Sequence, residues 1–106
     1  MSWFILILAG LLEVTWPIGL KISQIPGRGL QGILLIVVGM STSLFFLWLA
    51  QRTIPIGTAY ATWTGIGASG TFLAGILLFG DAASMVRIAG VTLIVSGVVL
   101  LKIAHG

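Results

Sequence analysis

The sequence has no cysteine and only two acidic residues, Glu13 and Asp81, among its 106 positions. The first absence excludes disulfides, thiol nucleophiles and thiolate metal sites. The single histidine, His105, sits at the tail, and no metal cluster, cofactor motif or activated nucleophile can be recognised, which points away from an enzyme. No cofactor and no nucleic-acid partner are expected. Charged residues of either sign make up 7% of the chain, against roughly a quarter in soluble domains.

What the chain has instead is long apolar runs: 58% of residues are hydrophobic and the mean hydropathy is +1.23. Four stretches are nearly free of charge, Trp3 to Leu20, Leu30 to Ala50, Ile54 to Gly80, and Ile88 to Leu101 with its flanks. Each can cover most or all of a ~30 Å hydrocarbon core as a helix. Membrane-spanning strands would alternate in polarity, and these runs do not. A cleaved signal peptide fits the first stretch poorly, since it lacks a basic start and carries Glu13. The expectation is an all-α membrane protein, a single four-helix domain over 1–106 with helices at about 3–20, 30–50, 54–80 and 84–103. Short loops separate them where turn chemistry is dense, at SQIPGRG, QRTIP and GDAAS. Any function then sits within four helices or between copies of them.

Loop charge gives little direction to insertion. With the N-terminus inside, Arg52 and Lys102 lie inside and Lys21, Arg28 and Arg87 outside, two against three. A difference of one fits insertion in both orientations as well as a fixed topology with a weak signal. Four helices enclose too little space for a water-filled pathway, which argues for an oligomer. In the fourth span Ala83, Gly90, Gly97 and Ala104 recur every seven residues. Such a stripe of small residues lets a neighbouring backbone approach, and it is the expected dimer seam.

Glu13 is the one acid deep in an apolar run, and no Lys or Arg lies at comparable depth. An intramembrane carboxylate without a fixed basic partner is by default a site for a proton or a mobile cation. Helical spacing makes Gly10, Trp16 and Pro17 its neighbours. Gly10 leaves room beside the carboxylate, and Trp16 brings an indole N–H that can hold it and a ring that can face a cation. Pro17 has no N–H for the Glu13 carbonyl, so the helix is expected to bend there. A kink that serves only packing would give the same signature.

The third span contributes GTAYATWTGIGASG, Gly57 to Gly70, in which Tyr60 and Trp63 share a face with Thr64 and Gly67. Their O–H and N–H need partners, and Glu13 could supply one. Gly65 to Gly70 also reads GxGxxG, but the dinucleotide fingerprint requires a preceding strand and a βαβ unit. Gly65 and Gly67 are expected instead to weaken the helix and form a bending point. In the second span Ser41, Thr42 and Ser43 interrupt an oily run. Hydroxyls there usually bond back to their own helix, and the spacing does not single out one of them to face Glu13.

The stretches EVTWPIGLK (Glu13 to Lys21) and IPIGTAYATWTGIGA (Ile54 to Ala68), with the small-residue fourth span, resemble the small multidrug resistance transporters, and specifically their guanidinium-exporter subtype. The resemblance covers essentially the whole chain. Trp16 is similar to the guanidinium exporters where quaternary-ammonium exporters commonly carry threonine, and Ser43 aligns with a serine of the subtype's site. The resemblance implies an antiparallel homodimer of dual-topology subunits in a bacterial-type inner membrane, exchanging protons for guanidinium or small guanidinyl cations at two copies of Glu13. Trp16 and Ser43 would hydrogen-bond and orient Glu13, while Tyr60 and Trp63 would line the site. Pro17 departs from the small residue usual at that position, which leaves open a broader exporter of small quaternary ammonium compounds or other cationic drugs.

Overall fold

The computed structural model describes residues 1–105, and every regular element among them is helical. The first apolar stretch forms two helices in line, α1 (Ser2–Glu13) and α2 (Thr15–Ser23), separated by Val14. Then come α3 (Gly29–Ala50), α4 (Ile56–Phe79) and α5 (Met85–His105). Taken as spans, α1 with α2, α3, α4 and α5 are each long and apolar enough to cross a membrane.

The ends of these helices follow from local chemistry. Ile54 precedes Pro55 and is disfavoured from helical backbone. Pro55 is extended at φ −54° and ψ 143°, and α4 therefore begins at Ile56 rather than at 54. Gly80 closes α4 in the left-handed conformation at φ 70°, where a Cβ would be strained. Gly27 turns the first loop at φ 83°. The break at Val14 has an equally local cause. Pro17 lacks the N–H that the Glu13 carbonyl would accept, and the Val14 N–H turns to the Leu11 carbonyl three residues back, at 3.2 Å.

Packing centres on α1, which lies against α3 and α4, while α2 lies against α3. The core joins Leu6 and Ala9 of α1, Leu47 and Ala50 of α3, Ile54 of the connecting loop, and Ala59 and Trp63 of α4. Glycines set the closest approaches. A Cβ on Gly19 would come within 2.7 Å of the Gly32 carbonyl oxygen, and one on Gly39 would collide with the Thr15 hydroxyl. Without a hydrophobic driving force between helices in lipid, such small-residue contacts are a main source of association.

α5 packs on α4, sets the Lys102 ammonium 5.2 Å from the centroid of the Trp3 ring of α1, and is largely bare elsewhere. None of its most apolar window is buried, and Val86, Leu93 and Leu100 are well exposed. The helix starts at Met85, so Ala83 lies in the preceding loop and not on the expected helical stripe. Gly90, Gly97 and Ala104 are exposed, with nothing within 4 Å of where a Cβ on either glycine would sit.

Candidate functional site

Glu13 is the last residue of α1, at the break before α2. One turn on, the Trp16 indole Nε1–H donates to Glu13 Oε1 at 2.7 Å. This bond is short, as expected of a donor to a carboxylate. Among the described residues no other side chain hydrogen-bonds to the carboxylate, so Oε2 remains available. The carboxylate opens on a cavity of about 290 Å³ lined by Glu13, Trp16, Pro17, Thr64, Gly67, Ala68 and Thr71. No basic residue is among these, so the one ionisable group in the cavity is acidic.

α4 reaches Glu13 because it carries glycine opposite it. A Cβ on Gly67 would overlap Glu13 Cγ, and one on Gly70 would lie 2.6 Å from Val14 Cγ2. Gly65 faces the other way and accepts Val98 of α5, whose Cγ2 would be 2.6 Å from a Cβ there. Gly65 and Gly67, expected to form a bending point, lie inside a helix that runs continuously from Ile56 to Phe79. These two glycines serve close approach to α5 and α1, a role that glycine spacing signals equally well. Gly10 also differs from expectation. The space beside it is filled by Ile66, whose Cβ would lie 2.7 Å from a Cβ at position 10, so Gly10 brings α1 onto α4 and is not among the residues lining the Glu13 cavity.

Ser43 is fully buried and is the one hydroxyl of its trio that points inward, but it does not touch Glu13. Its hydroxyl donates to the Ala9 carbonyl at 2.7 Å and accepts the Trp63 Nε1–H at 2.9 Å. This corrects the expectation that Ser43 bonds the carboxylate directly. The chain of bonds ties α4 and α3 to the turn of α1 that ends at Glu13, because Ala9 lies one turn before it. Each interhelical hydrogen bond of this kind contributes about 0.6 kcal/mol on average in a membrane protein. Thr42, by contrast, bonds back to Val38 at 2.7 Å in its own helix. Tyr60 leans on Trp63 with ring centroids 5.7 Å apart and is 56% exposed, away from the Glu13 cavity within this chain.

Ala68 and Thr71 are not among the residues expected at the cavity. The signal is nonetheless present, since Thr64, Gly67, Ala68 and Thr71 follow the i, i+3, i+4, i+7 spacing of one helix face. It goes unnoticed in a run where both faces are apolar.

The sequence model of the family described as Small Multidrug Resistance protein matches residues 1–94. The chain belongs to that family. A guanidinium exporter of Yersinia pseudotuberculosis is 50% identical over 104 residues, 98% of this chain and 99% of that protein. A guanidinium exporter of Citrobacter freundii is 48% identical, covering 98% of each chain. One from Salmonella typhimurium strain LT2 is 47% identical over the same share. Family membership together with four apolar spans identifies a multi-pass transport protein of the bacterial inner membrane.

Proposed function

We propose that this protein exports guanidinium and small guanidinyl cations in exchange for protons, with Glu13 holding one or the other but never both. The observation that carries the reading is the Trp16 bond to Glu13 Oε1 at 2.7 Å in a cavity without a basic residue. It fixes one oxygen and leaves the other free for a cation. A planar cation rich in N–H donors suits an oriented carboxylate better than an apolar pocket would. The relatives named guanidinium exporters, similar over nearly their whole length, support the same substrate class.

The working unit in this reading is an antiparallel pair of identical chains inserted in opposite orientations. The exposure of α5 with its open Gly90 and Gly97 supports a seam there, and the loop charges differ by only one between the two orientations. Two such chains would exchange inward-open and outward-open roles as inverted repeats do in larger transporters.

The test is uptake into proteoliposomes under an imposed pH gradient, with guanidinium compared against tetramethylammonium. Wild-type protein should accumulate guanidinium, and Glu13→Gln should fold yet accumulate none. Accumulation by the Gln variant would sink the mechanism.

A further inference from the structure

The chain's two carboxylates line two neighbouring cavities. Beside the Glu13 cavity lies a second of about 180 Å³, bounded by Ile18 and Lys21 of α2, Gly75 of α4 and Asp81 of the loop that follows. Pro17 and Thr71 line both spaces, so the two meet at these residues. The Thr71 hydroxyl is buried there without a hydrogen-bond partner among the described residues. Such a group is costly to leave unmatched in apolar surroundings, and its position at a junction calls for a reason.

Asp81 is not explained by structure either. Its N–H closes α4 onto the Gly75 carbonyl at 3.0 Å, and its carboxylate lies where a Gly75 side chain would otherwise be. A negative charge beside a helix C-terminus opposes the macrodipole, so it does not serve α4. Arg87, the base nearest in sequence, donates to the Ala82 carbonyl at 3.3 Å instead. Among the described residues neither Asp81 nor Lys21 is held in an ion pair.

We propose that the two cavities form one cation route, in which Asp81 is an outer holding site for a guanidinium-class cation on its way to or from Glu13. Thr71 lines the passage midway, with its hydroxyl just beneath the surface. Lys21, on the same outer cavity, keeps that hold weak enough for release, as conduction between successive sites requires. This inference rests on the transport reading above and adds to it a second acidic station and a defined mouth.

The experiment measures initial guanidinium uptake against concentration in proteoliposomes, at low and high ionic strength, for wild type, Asp81→Asn, Asp81→Glu, Lys21→Gln and Thr71→Val. Asp81→Asn should raise KM about two- to five-fold at low salt, the scale of an exposed charge pair, and flatten its salt dependence. Asp81→Glu should restore both, Lys21→Gln should lower KM, and Thr71→Val should slow the maximal rate with little change in thermal stability. Equilibrium guanidinium binding to detergent-solubilised Asp81→Asn should match wild type, which assigns the effect to access and not to Glu13. Wild-type KM and salt dependence in Asp81→Asn would overturn the route while leaving transport intact. Failure of the wild type itself to take up guanidinium would overturn the transport reading, and the route with it.

Discussion

Gly67 of α4 faces Glu13 of α1 so closely that a single methyl group at position 67 would take the space of Glu13 Cγ. The absence of a side chain is therefore what lets the carboxylate lie between α1 and α4. Gly67→Ala should push Glu13 off its position and cost about 1–3 kcal/mol of stability, the usual scale of overpacking. Guanidinium affinity should fall with it, measured by isothermal titration on detergent-solubilised protein. Unchanged affinity in the Gly67→Ala variant would mean that Glu13 has room to move without consequence.

Trp16 holds Glu13 directly, and its loss should act on substrate before it acts on fold. Trp16→Thr removes the 2.7 Å bond and leaves the core contacts of α1 untouched. Guanidinium transport should weaken more than transport of a bulky quaternary ammonium, by a difference of about 1–3 kcal/mol, the scale of a charge-assisted bond left unmade. Equal losses for both cations would assign Trp16 to packing.

Ser43 should behave the opposite way. Ser43→Ala removes one hydroxyl and strands two partners, the Trp63 N–H and the Ala9 carbonyl, at a fully buried position. Stability should drop by about 1–3 kcal/mol, more than in Trp16→Thr, while guanidinium affinity drops less. Thermal midpoints and titrations on the two variants give this crossed pattern or refute it. A larger affinity loss in Ser43→Ala would show that the serine acts on the carboxylate itself.

Orientation in the membrane is open to a separate test. Two or three added positive charges in the Gln51 to Thr53 loop should force a single topology, since the starting bias is one charge. That version should be inactive alone and regain uptake when mixed with one charged on the opposite loops. Full activity from one uniformly oriented population would rule out the antiparallel pair.

The sequence displays the four spans and the Glu13–Trp16 contact because both depend on short-range rules, apolar length for the spans and i, i+3 spacing for the contact. It does not display how each helix is rotated. A helix that is apolar all round carries no stripe to mark its inner face. That is why spacing leaves the choice among Ser41, Thr42 and Ser43 open; the resemblance alone put Ser43 at Glu13, whereas its hydroxyl bonds the Ala9 carbonyl. The same blindness hides the close contacts at Gly65 and Gly67. Glycine weakens a helix and also admits a neighbour, and only the packing of α1 and α5 against α4 reveals the second use.

The Trp63–Ser43–Ala9 chain has a consequence for proton traffic. Its first member is an indole that does not give up its proton, and its last is a peptide carbonyl that does not keep one. Ser43 between them has its single hydrogen committed to Ala9. A proton cannot be handed along this line to Glu13, so the wall formed by α3 is a dead end for it. In the proposed exchange, proton and cation would share the open space beside Thr64, Gly67 and Thr71 as their way to Glu13. On that proposal, two passengers with one door and one seat would take turns.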